Sequence, residues 1–159
     1  MIVVGVDPGT VRTGYAFLER RNDRIRVLEY GVIRNKSEDP LPLRLEKIHR
    51  ELRILMETYQ PAHMALESIF HSKFARSALV LGHARGAIMV AAHGLGIPVA
   101  EYAPSLVKKA TVGKGSATKE RVATLIQSHL QLKVPPTPED AADALAIAFC
   151  HLIQAAKPF

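Results

Sequence analysis

Ile2-Val3-Val4-Gly5-Val6-Asp7-Pro8-Gly9-Thr10-Val11-Arg12-Thr13-Gly14 opens the chain, and the remaining elements are arranged around it. Ile2, Val3, Val4 and Val6 form a short β-branched run, the pattern of a strand buried on at least one face. Asp7 ends that run, and Pro8-Gly9 behind it signals a turn. A carboxylate at the tip of a buried strand needs a cation or a set of donors. One reading is local: Asp7 starts an Asx-turn and accepts from the amides after Pro8. The other is chemical, with Asp7 as one member of a cation site. The rest of the chain decides between them.

The 159 residues suit one domain, 1–159, with a core that needs no disulfide or structural metal. Hydrophobic residues at 48% and charged residues at 23% are ordinary for a globular protein. No apolar stretch approaches the length of a membrane span, and the N-terminus lacks a signal-peptide layout. A single cysteine, Cys150, excludes an intrachain disulfide and argues against a cysteine-based metal site; it reads as a small core residue. These features predict a cytoplasmic protein. Lys and Arg number 21 against 15 Asp and Glu, and the net charge of +6 favours a polyanionic partner. Without a basic amphipathic helix, nucleic acid is a better candidate than a membrane surface.

Tyr15–Leu18 reads as a second strand, and the alternating stretch Arg24–Arg34 as a third. Short turns join them, so the first three strands form an antiparallel meander. Pro40 and Pro42 open a helix with an apolar stripe at Leu43, Leu45, Ile48, Leu52, Leu55 and Met56, closed by Pro61. His63–Glu67 is a short fourth strand that also ends in an acid. A long helix runs from Lys73 to His93, a fifth strand from Ile97 to Tyr102, and a short helix from Pro104 through Ala110. Two more helices come after it, about Ala117–Leu130 and Glu139–Ala155. The order βββαβαβααα predicts an α/β fold: a five-stranded mixed sheet flanked by helices, its later strands parallel.

Asp7 and Glu67 both end strands, and parallel neighbours would bring them to one carboxyl edge, where α/β sheets place their functional crevices. Asp140 and Asp143 lie at i and i+3 of the last helix, on one face. Acids in a first turn also complement the helix dipole. Asp143 is different, because the apolar run behind it must be buried. Carboxylates that converge with few cations beside them suit hard divalent ions, magnesium or manganese. An acidic pocket within a basic protein points to phosphodiester chemistry.

Longer motifs sharpen this. Val6-Asp7-Pro8-Gly9-Thr10 with Thr13-Gly14-Tyr15, Leu66–Phe70, Ser77–Gly86, Val107–Lys119 and Asp140–Ala148 together resemble RuvC-type Holliday-junction resolvases of the RNase H-like superfamily, over nearly the whole length. The resemblance implies a magnesium-dependent endonuclease, with manganese able to substitute and two ions per site. It implies a homodimer that cuts four-way junction DNA symmetrically, leaving 5′-phosphate and 3′-hydroxyl ends, in recombination and repair. Asp7, Glu67, Asp140 and Asp143 match the family's acidic positions. Partnership with the RuvA and RuvB branch-migration proteins is implied by analogy alone.

Around the acids, Phe70 matches an aromatic that resembles a wedge near the junction crossover, a device that opens base steps. Lys108 and Lys119 match lysines near the scissile phosphate; Lys119 would also lie in a helix first turn, a ready anion site. Lys73, Arg76, Arg85, Lys109 and Lys114 complete the positive side, with Lys109 and Lys114 suited to flanking phosphates. Ala78, Gly82 and Gly86, at spacing four, permit close helix approach. They fit either a twofold interface, as the family implies, or packing against the strands. His83, His93, His129 and His151 have no metal-cage spacing and read as structural.

Other classes share parts of this pattern. The phosphate loop of actin-like ATPases also has Asp-x-Gly-Thr after a strand, but needs two domains that 159 residues do not supply. A related nuclease of structured RNA would share the chemistry. A non-catalytic junction-binding module would not need all four acids.

Overall fold

The computed structural model describes residues 1–22, 24–68 and 75–156. Phe70 and Lys73, the expected wedge and one of the expected cations, lie outside the described residues. Five strands form one sheet: β1 (Ile2–Asp7), β2 (Arg12–Arg21), β3 (Arg24–Arg34), β4 (His63–Glu67) and β5 (Val99–Tyr102). Five helices accompany them among the described residues: α1 (Leu41–Tyr59), α2 (Ala75–His93), α3 (Pro104–Val112), α4 (Lys119–His129) and α5 (Glu139–Gln154). The spatial order is β3-β2-β1-β4-β5, with β1–β2 and β2–β3 antiparallel and β1–β4 and β4–β5 parallel. Element order and mixed sheet agree with the sequence reading.

Boundaries differ where pairing overrides composition. β2 is longer than Tyr15–Leu18, because β3 offers it a partner along its whole length, from Arg12↔Arg34 to Arg21↔Arg24. Backbone groups along that ladder are satisfied whatever the polarity of the side chains. β5 starts at Val99, after Ile97 and Pro98, since proline has no amide to give to a ladder. α3 runs two residues past Ala110 and stops at Gly113, whose φ of 83° is left-handed. α4 begins at Lys119 because Thr118 is its cap, accepting from the Arg121 amide at 3.3 Å.

The sheet separates two cores. On one face Val4, Val6, Phe17, Met64 and Leu66 meet Ile48, Leu52 and Met56 of α1 and Ile88, Ala91 and Ala92 of α2. The i, i+4, i+8 spacing of Ile48, Leu52 and Met56 is what turns one side of α1 inward. On the other face Val3, Ala16, Leu18 and Ala65 meet α5, which is covered in turn by Val107 of α3 and Val122 and Ile126 of α4. α5 is therefore enclosed on nearly every side, and its run from Ala144 to Leu152 is buried throughout. Alanines and glycines let it lie close: a Cβ on Gly5 would sit 2.5 Å from the Ala148 amide nitrogen and 2.8 Å from the Ala148 Cβ.

Near the far end of α5, His151 is buried between two strands. Its Nε2 lies 3.1 Å from His63 Nδ1 at the start of β4, and its Nδ1 lies 2.8 Å from the Tyr102 hydroxyl on β5. A charged imidazole is disfavoured there, first by burial and then by His63, so its pKa falls below the usual histidine value of 6.5. A depressed folded-state pKa gives stability that is present above about 6.5 and lost as pH falls through the lower value. We expect His151→Gln to be less stable than the wild type by about 1–2 kcal/mol at pH 7, two part-buried hydrogen bonds being at stake. The gap should narrow towards pH 5. Urea unfolding in EDTA across that range checks it, and a gap independent of pH would refute it.

Candidate active site

β1 and β4 run parallel with Val6 beside Leu66, so Asp7 and Glu67 emerge at the same carboxyl edge. α5 crosses that edge with its N-terminus. Asp140 lies over Gly14, the β2 residue opposite Asp7, and Asp143 comes one turn later. These placements put the other three acids within electrostatic reach of Asp7. Its pKa rises from 3.8 to about 8, through burial first and then through Asp143, Glu67 and Asp140, with Lys119 opposing. Glu67 and Asp143 are raised in the same way, burial leading in both. Such shifts are the electrostatic mark of a functional cluster.

Lys119, at the first position of α4, reaches into the cluster. Its Nζ donates to Glu139 Oε1 at 2.7 Å and to Asp143 Oδ2 at 3.1 Å. Burial works against its charge, but these carboxylates outweigh burial and hold the ammonium above its usual range. Asp143 stays raised despite the lysine because burial dominates for the acid. Lys108 joins Glu67, Lys119 and Asp143 in the walls of a cavity of about 190 Å³, floored by Val107, Val122 and Ile147. The arrangement is a carboxylate basin with an ammonium on its rim.

The remaining predicted residues fall elsewhere. Lys109 and Lys114 are exposed on α3 and on the loop before α4. Arg76 lines a separate cleft with Thr10, Ser77, Val80 and Leu81. Arg85 is corrected: it is no surface cation. It is buried, donates to the Glu67 carbonyl, and pairs through Nη2 with Glu101 Oε1 at 3.0 Å. A buried guanidinium must be paired, and this one ties α2 to the ends of β4 and β5. Its position in the buried stripe Ala84, Arg85, Ile88, Ala91, Ala92 is the signal that could have placed it inside. Gly82 and Gly86 have nothing within 4 Å of an added Cβ, so they do not pack against the strands. With Ala78 they line an open groove between α1 and α2.

Two residues that contact the predicted site residues have no counterpart in the sequence reading. Glu139 holds Lys119, and Arg12 lies with Nε 3.2 Å from Asp140 Oδ2. Both are contacts between distant segments that no local pattern announces.

As they stand, no three histidine, cysteine, aspartate or glutamate side chains form a ready-made ion cage among the described residues. The donor chemistry nevertheless fits a hard divalent cation. Carboxylate oxygens dominate the basin, and the buried Asp140 Oδ2 has no aligned hydrogen-bond donor.

A five-stranded mixed sheet with helices on both faces and acids at the edge shared by its two central strands defines the RNase H-like class. The model of the crossover junction endodeoxyribonuclease RuvC family matches residues 3–151. The chain belongs to that family. It is 43% identical over 152 residues to a crossover junction endodeoxyribonuclease RuvC of Syntrophomonas wolfei, covering 96% of this chain and 88% of that one. A Saccharophagus degradans protein of the same name is 48% identical over 151 residues, covering 95% and 87%. Among solved structures, Thermus thermophilus RuvC in complex with a Holliday junction substrate superposes with a TM-score of 0.93 at 35% identity, covering 98% of this chain and 94% of that one.

Proposed function

We propose that this protein is a Holliday-junction resolvase, a metal-dependent endonuclease that hydrolyses phosphodiester bonds in opposed strands of a four-way DNA junction and leaves 5′-phosphate and 3′-hydroxyl ends. The observation that carries the reading is Asp7, half-buried with a pKa raised to about 8 among three other carboxylates beside a lysine rim. A binding module has no use for a basin that opposes its own ionisation, and a basic chain needs none to hold DNA.

Asp7, Glu67, Asp140 and Asp143 are the proposed ligands and catalytic acids. Two magnesium ions, replaceable by manganese, supply activation of water and neutralisation of the phosphate when bound there. Lys119 holds a proton firmly, so its ammonium stays charged and can stabilise the scissile phosphate; Lys108 adds charge from the same cavity wall. Arg76, Lys109 and Lys114 bind flanking backbone, as would Lys73.

Opposed cuts require two sites. A homodimer through α2 supplies them, and an isologous pair matches the twofold character of a junction. Its support is the groove lined by Leu45, Ala78, Leu79, Gly82, Gly86 and Val90, in which Leu79 is 66% and Val90 63% exposed. We assign the chain a single-domain, cytoplasmic role beside RuvA and RuvB; no helix among the described residues is long and apolar enough to cross a membrane.

A synthetic four-way junction, a linear duplex and an RNA–DNA hybrid, each with magnesium, manganese or EDTA, test this together. Paired nicks confined to the junction, lost in EDTA, from a protein that sediments as a dimer are expected. Preference for the hybrid would keep the fold and overturn the substrate; tight binding without cleavage in either metal would leave a binding module.

A further inference from the structure

Arg12 is neither one of the four acids nor one of the lysines beside them, yet the fold aims it at the basin. Alternation along β2 puts it on the same face as Gly14, the face on which the first turn of α5 lies. Its Nε comes within 3.2 Å of Asp140 Oδ2. That oxygen is buried and has no aligned hydrogen-bond donor, so what joins the two is charge more than directional bonding. The guanidinium side is 56% exposed, against 23% for Asp140. Arg12 thus reaches in from solvent to a carboxylate that belongs to the basin. Lys119 in turn holds Asp143.

We infer that Arg12 is a built-in competitor for Asp140: its guanidinium neutralises that carboxylate in the cation-free protein and must withdraw when a divalent ion takes the oxygen, so that Arg12 sets the affinity of the site for its metal. This rests on the reading of Asp140 as a metal ligand. The physical basis is the balance of two weak terms. An exposed arginine paired with a carboxylate is screened and readily displaced, so it does not block the site. It does stabilise the empty state, and any stabilisation of the empty state weakens binding by the same factor. Nearby positive charge acts in the same direction without contact, and the cross-strand neighbour Arg34 is the natural control, being paired with Arg12 in register but making no described contact with the acids.

The test is titration of manganese into the DNA-free protein, measured calorimetrically, for wild type, Arg12→Gln and Arg34→Gln. We expect Arg12→Gln to bind manganese about threefold more tightly, the range set by exposed ion pairs, and Arg34→Gln to stay within about 1.5-fold of wild type. Unfolding in EDTA adds a second readout: Arg12→Gln should lower the midpoint, because four acids then lose a counter-charge. Unchanged or weaker manganese binding by Arg12→Gln would overturn the inference. Equal tightening by Arg34→Gln would overturn it too, reducing the effect to net charge. Absence of saturable manganese binding in all three proteins would overturn the metal-site reading, and this inference with it; normal wild-type binding with no response to Arg12→Gln would overturn this inference alone.

Discussion

Asp7→Asn is expected to abolish junction cleavage, by about 10³-fold or more, while leaving junction binding in EDTA within about threefold of wild type. Loss of one member of a catalytic unit removes most of what the unit does together. Asparagine has the shape of aspartate but contributes no negative charge to hold a divalent ion. Binding should survive because it depends on cations outside the basin and on counterion release. Gel-shift and cleavage assays on one preparation give both numbers. Retained cleavage would return Asp7 to the role of a turn-forming residue.

The same substitution should stabilise the protein when metal is absent, and the direction is set by the proton balance. In the folded state Asp7 titrates near 8, against 3.8 ordinarily. A raised pKa means that folding takes up a proton, so stability from this group is fully present below about 3.8 and is lost as pH climbs to about 8. Asparagine avoids that loss. The advantage of Asp7→Asn in EDTA should therefore be near zero at pH 4, grow up to pH 8 and level off above it. The full shift corresponds to an upper limit of about 6 kcal/mol; relaxation and the neighbouring acids will reduce it. A realistic gain of about 2 kcal/mol would raise Tm by about 4–8 °C for a chain of this size. Magnesium should reverse the order by stabilising only the wild type. If Asp7→Asn is instead the less stable protein in EDTA at pH 8, the carboxylate is held by donors, as in an Asx-turn.

That outcome separates two readings which the sequence leaves open, and it shows where sequence reasoning stops. Strand and helix order were legible because β-branched runs, i, i+4 stripes and bounding prolines are local signals. The acids were legible because Asp7 and Glu67 interrupt apolar strands at their ends and Asp143 precedes a run that must be buried. β2 was read too short because its ends, Arg12 and Glu19-Arg20-Arg21, are polar; pairing with β3 extends it. Arg85 was misplaced because a lone charge is usually solvated, and here it is buried against Glu67 and Glu101. Arg12 with Asp140, and Glu139 with Lys119, are 128 and 20 positions apart in sequence, and only the packing of α5 against β2 and against α4 brings them together.

Gly14→Ala is expected to lose both stability and activity, activity more severely. Gly14 lies in ordinary β conformation, so conformational freedom is not what requires glycine; space is. An added Cβ would collide with the Asp140 carbonyl oxygen, and would come within 2.5 Å of the Asp140 carbonyl carbon and 3.2 Å of the Ala141 nitrogen. Helix backbone cannot swing aside as a flexible side chain can, so the first turn of α5 must lift from the sheet. Overpacking of this kind costs about 1–3 kcal/mol, or about 2–12 °C in Tm, only slightly offset by the stiffer unfolded chain. A lift of about 1 Å separates Asp140 and Asp143 from Asp7 and Glu67, and misplacement on that scale reduces catalysis by about 10²-fold. Gly5→Ala supplies the contrast. Its Cβ would strike the same helix at Ala144 and Ala148, about one and two turns beyond Asp140. It should therefore be as destabilising as Gly14→Ala, or more so, yet impair cleavage less at a temperature where both variants are folded. Equal activity losses at matched stability would mean that the helix moves as one rigid rod, and full activity of Gly14→Ala would mean that α5 does not position the acids at all.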